Sequence, residues 1–529
     1  MGPLGKRPHG RGDPPRTDRN PGRAERARHS GGGKAMITNR WRRWIGTALV
    51  ALTLAACQTV NPATGKKEFT PFMSPSDEIQ LGQQEHPNVV KQFGGVYDDP
   101  KVAGYVAAVG GRLAANSELA DLEFTFTVLN SPIVNAFALP GGYVYVTRGI
   151  LSLFNSEAEL ASVLGHEIGH VTARHTAKRY NQAMFTGILG AGVGIALGSQ
   201  AANDLIAYGS QLYLLGYSRD QEYQSDELGI RYMNRAGYDP YASADMLRAL
   251  QAQDALEARL AAGDARSRPP EFFSTHPNTE NRINRAEALA ADSGVAPGAR
   301  PRLRDRYLDA IDGMLYGDDP EQGLIRGRTF WHPKLRFTFT VPEGYRLINT
   351  ADAVLVQGSE GDGAIFTLSG AEEGAATTAV MATAWKQLAG DRPLGQVETL
   401  TINGMEAATG AARARTQGGE VVARIVTIRY SPTRAYHFLL VTPVDLVERL
   451  SEGLRRMTYS FDRIHEDEVD RIKPLRIRVV TVRRGDTATS LARQMAVDDH
   501  HLERFLVLNG LETGNELRAG DRVKLVVAQ

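Results

Sequence analysis

The pentapeptide His166-Glu167-Ile168-Gly169-His170 constrains this chain most strongly, because on a helix it gathers two imidazoles and a carboxylate around one point. Residues four apart lie on the same helical face, so His166 and His170 can both reach one zinc ion. Glu167 follows the first histidine and can reach a metal-bound water. The pattern therefore predicts a zinc site in the middle of a helix.

The residues before the pentapeptide predict that helix. Ser156 can accept a hydrogen bond from a backbone amide, and Glu159 can accept one from the Ser156 amide in return, as in a capping box. We expect the helix to be buried, because apolar residues then recur at helical spacing. They are Leu160, Val163, Leu164, Ile168 and Val171.

A third zinc ligand should lie elsewhere, since catalytic zinc usually has three protein ligands and one open position. Glu222 is the candidate, on a helix that Leu228, Tyr232 and Met233 indicate. Asp226 lies one turn later and can accept a hydrogen bond from the far nitrogen of a ligating histidine. The alternative is a solvated acidic helix face.

Four separated segments resemble the BepA-type periplasmic zinc metallopeptidases, which are relatives of the heat-shock protease HtpX and the CaaX prenyl protease. They are residues 135–142 (NAFALPGG), 166–175 (HEIGHVTARH), 222–226 (EYQSD) and 274–282 (STHPNTENR). The resemblance runs from about residue 81 to about residue 289. It implies a mainly helical, gluzincin-type endopeptidase fold with a small edge sheet.

The resemblance also implies a role for each site residue. His166, His170 and Glu222 match the zinc ligands of the family, Glu167 matches its general base, and Asp226 matches its supporting carboxylate. Zinc lowers the pKa of a bound water to about 7, so Glu167 can take its proton and pass it to the leaving amine. We expect one zinc ion per chain.

The last segment adds a possible gate. By the resemblance, His276 can approach the zinc when the site is closed; alternatively it is a loop histidine beside Pro277. Arg282 either stabilises charge near the site or pairs with a helix carboxylate. Gln224 stands where the family often has a second Glu, which leaves the ligand set unchanged.

Two further segments near the motif invite interpretation. Tyr143, Val144 and Tyr145 alternate in the manner of an exposed edge strand, which could pair with an extended substrate, although the same pattern fits a strand inside a sheet. Residues 184–197 are apolar but too few to span a bilayer, so we expect a buried or lid-forming helix, with contact to a membrane surface or an unfolded client left open.

The amino terminus predicts an address outside the cytoplasm. Residues 1–35 are rich in Arg, Gly and Pro, and we expect them to be disordered or to precede the true start at Met36. Residues 36–56 have the charged region and the apolar run of a signal peptide, and that run, from Trp44 to Leu54, is too short for a membrane anchor. Cys57, the only cysteine, ends a lipobox-like segment and is the predicted lipidation site. Gln58 is not acidic, which by resemblance favours the periplasmic side of a Gram-negative outer membrane over retention at the inner membrane.

The overall prediction is an α+β multi-domain protein. A tether (57–80) leads to the metallopeptidase domain (81–291). A linker (292–328), which contains a predicted helix over residues 304–316, and a small α+β domain (329–465) follow. Predicted strands at 337–341, 421–429 and 436–442 and helices at 377–388 and 446–457 belong to that domain. The net charge of +1, with no basic stripe after Trp44, excludes a nucleic-acid-binding protein.

The last predicted domain (476–529) contains residues 482–487 (VRRGDT), 490–492 (SLA), 508–511 (LNGL) and 517–525 (LRAGDRVKL). Together these segments resemble the βααβ LysM module, a family that binds glycan strands containing N-acetylglucosamine. Peptidoglycan is therefore an expected partner, unless this module packs on its neighbour without a ligand.

We expect an endopeptidase that cleaves misfolded or unassembled envelope proteins. The alternative is a non-catalytic chaperone or wall-anchoring lipoprotein with a latent zinc site.

Overall fold

The computed structural model describes residues 58–70, 73–190, 216–260, 271–277, 281–350, 352–416, 419–512, 514 and 517–529. The amino-terminal extension, the predicted signal peptide and Cys57 lie outside these residues, as does residue 191 onward of the apolar segment 184–197. Thr59–Gln529 forms one compact unit. Within the described ranges, no helix combines the length and the apolar composition that crossing a bilayer demands.

The amino-terminal region, as far as residue 316, is mainly helical. A ribbon of β1 (Gln58–Val60) and β2 (Lys67–Phe69) precedes the helices. These are α1 (Pro75–Gln92), α2 (Pro100–Ala114), α3 (Arg148–Leu153), α4 (Glu157–Thr172), α5 (His175–Gly190), α6 (Arg219–Arg235), α7 (Ala242–Leu260), α8 (Glu271–Thr275), α9 (Arg282–Asp292) and α10 (Arg304–Ile311). The mainly helical region that the sequence predicts around the pentapeptide His166–His170 is present.

A three-stranded sheet lies beside these helices in the order β3 (Thr125–Leu129), β5 (Tyr143–Thr147), β4 (Ala136–Leu139). The predicted edge position of Tyr143, Val144 and Tyr145 is wrong, because β5 is the middle strand. β3 pairs with it in parallel and β4 in antiparallel orientation. The tight turn between β4 and β5 brings β5 back antiparallel beside β4, and β3 pairs with the other side of β5. The sheet edge near the zinc motif is therefore β4.

Helix α4 begins at Glu157, where the sequence predicts it. The amide of Glu159 donates to Oγ of Ser156 at 3.3 Å. The Glu159 carboxylate does not return to the Ser156 amide; it accepts from the Asn155 amide at 2.9 Å and from the Ser156 hydroxyl. Every residue of α4 is buried.

Two predicted segments differ from the structure. The tether over residues 57–80 contains β1, β2 and the start of α1, which the Ser74 and Asp77 capping box and Pro75 begin. The helix over residues 304–316 ends at Ile311, because Asp312 is extended and Gly313 has φ of 88°. Residues 315–316 instead form strand β6 (Leu315–Tyr316).

The middle region is rich in β-structure. A seven-stranded antiparallel sheet has the order β10, β11, β12, β16, β15, β14, β13, and a four-stranded sheet has the order β17, β9, β8, β7. The strands are β7 (Leu324–Arg326), β8 (Thr329–His332), β9 (Phe337–Thr340), β10 (Arg346–Asn349), β11 (Val354–Gln357), β12 (Gly363–Gly370), β13 (Glu398–Ile402), β14 (Met405–Thr416), β15 (Gly419–Ser431), β16 (Arg434–Pro443) and β17 (Asp462–Arg463). The helices are α11 (Thr377–Ala389), α12 (Val447–Tyr459) and α13 (Glu466–Val469), with a 3₁₀ turn at Val444–Leu446. These elements include all the strands and helices predicted for this region.

The carboxy-terminal segment contains β18 (Leu475–Thr481), α14 (Ala488–Ala492), α15 (His501–Asn509) and β19 (Arg522–Ala528). Its two strands pair with each other, and β18 also pairs with β6 of the amino-terminal region. Buried side chains such as Phe505 and Val526 join the same hydrophobic core as the zinc-motif helix. The segment is therefore built into the helical amino-terminal region.

Candidate active site

Glycines bring the two motif-bearing helices together. A Cβ atom on Gly229 of α6 would lie 2.8 Å from the backbone nitrogen of His166, and one on Gly169 would lie 3.1 Å from the carbonyl oxygen of Ser225. Helices α4 and α6 can approach this closely only where side chains are absent. This contact places the histidines of one helix against the carboxylates of the other.

Four side chains from three segments converge at this contact. Nε2 of His166 lies 3.0 Å from Nε2 of His170 and 3.5 Å from Oε2 of Glu222. Nδ1 of His276 lies 3.1 Å from Oε1 of Glu222 and 3.3 Å from Nε2 of His166. One ligand atom from each of the four residues lies within 4.8 Å of the others. All four are at most 2% exposed.

This arrangement fits a metal cation. Two imidazole nitrogens that face each other at 3.0 Å share a cation readily, whereas at most one of them can donate a hydrogen bond to the other. Both carboxylate oxygens of Glu167 are buried and have no hydrogen-bond partner among the described residues, and the same holds for Nε2 of His276. Imidazole nitrogens with one carboxylate are a donor set that suits zinc.

Asp226 and Arg282 support the ligands. Nδ1 of His166 lies 2.9 Å from Oδ1 of Asp226. The guanidinium of Arg282 donates to both oxygens of Asp226, at 2.8 and 2.7 Å, and lies 2.9 Å from Oε2 of Glu222. Arg282 is fully buried, so the structure favours its pairing with helix carboxylates among the two roles expected from the sequence.

The surroundings shift the charges of the site. Burial raises the pKa of Glu167. Burial also opposes charge on His166, but hydrogen bonds to Asp226 and Glu222 outweigh it and raise the pKa of His166 to about 10. Burial opposes ionisation of Glu222 too, yet the neighbouring His276 and Arg282 hold its pKa well below the usual value. The site therefore favours ionised Glu222 beside positive charge.

Two residues for which the sequence predicts no role, Tyr217 and His175, contact His170. The ring of Tyr217 stacks on His170 with centroids 3.7 Å apart, and the Arg179 guanidinium lies over the Tyr217 ring at 3.7 Å. Nδ1 of His175 lies 2.9 Å from Nδ1 of His170. The spacing of His175 to the zinc motif is visible in the sequence, but the approach of Tyr217 depends on the packing of α6.

The edge strand β4 ends beside the zinc motif. Ala138, Leu139 and His170 line one small cavity, and Glu78 and Arg174 close it. Nε of Arg174 donates to Oε1 of Glu78 at 2.6 Å, and Arg174 is buried with φ of 53°. The Tyr143–Tyr145 strand predicted for substrate lies one strand farther from the histidines.

Known proteins resemble the part of the chain that carries this site. Residues 100–290 match peptidase family M48. Mitochondrial metalloendopeptidase OMA1 of Schizosaccharomyces pombe is 31% identical over 238 residues, which are 44% of this chain and 67% of that protein. The β-barrel assembly-enhancing protease of Escherichia coli K12 is 31% identical over 249 residues, 45% of this chain and 48% of its own length. That of Yersinia pestis is 32% identical over 233 residues, 42% of this chain and 45% of its own length.

This chain spans about half the length of these bacterial relatives and two thirds of the fission-yeast protein. The matched residues contain the zinc motif, Glu222 and His276, which the fold brings into one buried cluster. The chain therefore belongs to peptidase family M48, among the metalloendopeptidases that include the β-barrel assembly-enhancing protease.

Proposed function

We propose that the protein is a zinc-dependent endopeptidase that hydrolyses peptide bonds of misfolded or unassembled cell-envelope proteins. The observation that carries the proposal is the convergence of His166, His170 and Glu222 beside a buried Glu167 that has no hydrogen-bond partner within the described part of the chain. A purely structural metal site has no use for such a carboxylate, so Glu167 argues against the alternative of a chaperone or wall anchor with a latent site.

The chain's own residues divide the work of catalysis. Zinc held by His166, His170 and Glu222 would activate water and polarise the peptide carbonyl. Glu167 takes a proton at one carboxylate oxygen and returns it to the leaving amine, and burial, which raises its pKa, favours that proton transfer. Asp226 holds the ring of His166 in place.

His276 is proposed as the gate of the site. In the described conformation it contacts Glu222, Phe272 stacks on its ring, and its other nitrogen lies 3.6 Å from Glu167. A fourth ligand at this position would keep the resting enzyme from cleaving its neighbours. His276 must move aside when substrate enters.

The substrate is proposed to lie extended along β4. This edge strand lies beside His170, and an edge strand can add the backbone of a peptide by hydrogen bonding. The buried pair of Glu78 and Arg174 then marks one end of the cleft.

The proposed location is the periplasm of a Gram-negative bacterium. The names of the bacterial relatives, which refer to β-barrel assembly, support an envelope role. Residues 36–56 would be removed as a signal peptide, and lipid on Cys57 would hold the protein at the outer membrane. The LysM-like segment 476–529 is proposed to contact peptidoglycan.

Glu167→Gln tests the proposal. Loss of the base should reduce cleavage of an unfolded outer-membrane protein by about 10²–10⁴-fold, while zinc stoichiometry stays at one per chain. Gel assays of cleavage and metal analysis provide the two readouts. Glu227→Gln, the same change at an exposed position of α6, is the matched control and should leave both unchanged. Full cleavage by Glu167→Gln would refute Glu167 as the base.

A further inference from the structure

His170 uses its second ring nitrogen to contact another histidine. Nδ1 of His170 lies 2.9 Å from Nδ1 of His175, and Nε2 of His175 lies 3.0 Å from Oε1 of Gln224. His175 is fully buried and sits at the start of α5, whereas Gln224 lies on α6. Oγ of Ser225 also lies 3.3 Å from Nδ1 of His175. A series of three polar side chains thus runs from the metal site to the neighbouring helix, with the Ser225 hydroxyl beside its middle member.

The hydrogen bonds of this series can run in either of two directions, or polarities, because a neutral imidazole has one N–H group and one lone pair. If Gln224 accepts through its oxygen, His175 carries its proton on Nε2 and accepts at Nδ1 from His170. Nε2 of His170 is then left with a lone pair. If Gln224 donates through its amide nitrogen, every bond reverses, and Nε2 of His170 carries a proton.

Only the first polarity suits the metal site. Nε2 of His170 lies 3.0 Å from Nε2 of His166 and 3.4 Å from Oε1 of Glu222, so it faces the point where the ligands converge. A proton at that nitrogen would exclude a metal ion. The contact of Oε1, the acceptor atom of Gln224, with His175 corresponds to the metal-binding polarity.

We propose that His175 and Gln224 are positioning residues that select the metal-binding tautomer of His170. The proposal rests on the zinc site of the proposed function and explains how its second histidine is oriented. The two ligating histidines are held by different chemistry. His166 faces Asp226, a carboxylate that accepts hydrogen bonds when ionised, whereas His170 faces a histidine whose Nδ1 accepts only while its proton is on Nε2, the nitrogen that contacts Gln224.

Four variants of the full chain separate this role from a merely structural one. His175→Phe and Gln224→Leu remove the acceptors, and each should weaken zinc binding about 10–100-fold, the usual cost of losing an outer hydrogen-bond partner. His175→Asn places an amide oxygen where Nδ1 was, and Gln224→Glu supplies a carboxylate acceptor. Both should bind zinc nearly as tightly as the parent chain.

The measurements are the zinc dissociation constant, from competition with a chelator, and the tautomer of His170, from ¹⁵N–¹H correlations of the zinc-loaded protein. His437→Phe is the matched control, because His437 is a buried, hydrogen-bonded histidine of the middle region. Its loss should affect folding stability and leave zinc affinity unchanged.

The outcomes distinguish the two proposals. A parent chain that binds no zinc would refute the proposed function itself. A zinc-binding parent for which the Phe and Asn variants of His175 share one affinity would overturn the positioning role and leave the function standing. If His175→Phe does not fold, unchanged affinity in Gln224→Leu, at a half-buried position, would overturn the role by itself.

Discussion

Asp226 is the residue on which several interactions of the site depend. One of its oxygens contacts both His166 and Arg282, and the other accepts from Arg282. The sequence predicted the contact with His166, because Asp226 follows Glu222 by one helical turn. The salt bridge to Arg282 joins residues 56 positions apart, and only the packing of α9 against α6 decides it.

Asp226→Asn should weaken zinc binding about 10–100-fold, because the amide can present its nitrogen to the ring of His166 and holds Arg282 less firmly. Chelator competition measures the change. Asp220→Asn, at an exposed position in the first turn of the same helix, is the control and should bind zinc normally. Equal affinities in the two variants would show that Asp226 does not orient the ligand.

At the scale of elements, caps and spacing predict single helices, but they do not predict which strands or helices become neighbours. Helix α4 starts at its Ser156 cap, and α12 lies within a residue or two of its predicted bounds. Strand β5, in contrast, reads equally well as edge or middle strand. Its position is decided by β3, which lies before it in the chain and takes the edge that the sequence left open.

The close contact of α4 and α6 should not tolerate a methyl group. Gly229→Ala would press a Cβ atom against the backbone of His166, so we expect a loss of about 1–3 kcal/mol in folding free energy and weaker zinc binding. Urea unfolding and metal analysis measure the two effects. Gly104→Ala, at an exposed position of α2 where a Cβ atom meets nothing within 4 Å, should be neutral or stabilising by up to about 1 kcal/mol.

The middle sheet should lose stability in acid. Burial lowers the pKa of His437 to about 4, so its neutral ring belongs to the folded state. The free energy of unfolding that this pKa shift contributes is fully present above pH 6.5. It is lost as the pH falls from 6.5 towards 4, with a slope of up to about 1.4 kcal/mol per pH unit.

Urea unfolding between pH 4.5 and 7.5 measures this slope. His437→Gln should reduce this slope by the amount that corresponds to nearly one proton bound on unfolding. His332, whose pKa burial also lowers to about 4, should keep its own contribution to the slope. An unchanged slope in His437→Gln would show that His437 is not responsible.

At the scale of the whole molecule, the carboxy-terminal segment completes the peptidase core. Lys524 is fully buried, and its Nζ donates to the carbonyl oxygens of Ser152 and Phe154 at 2.7 Å each, just before the zinc-motif helix. The sequence indicates a separate module here, because its strand and helix pattern is complete in itself. Contacts across some 370 residues leave no local pattern that could reveal them.

Lys524→Met should destabilise the peptidase region, because two buried carbonyl groups lose their donor at about 1–3 kcal/mol each. Thermal unfolding of the full chain and its zinc content measure the effect. Lys473→Met, at an exposed position just before β18, is the matched control and should unfold as the parent does. Equal stability of the two variants would show that Lys524 is not needed by the peptidase core.

The pairing of β6 with β18 has a consequence for how the chain is organised. Tyr316 and Leu475 are direct partners across that ladder, so the chain leaves the peptidase core at one strand and re-enters it at the adjacent strand. Adjacent strands lie about 5 Å apart, a gap that a hairpin turn of a few residues closes. In topological terms, residues 317–474 are one long insertion in a hairpin, so the middle region can be gained, exchanged or lost without cutting the core that holds the zinc motif.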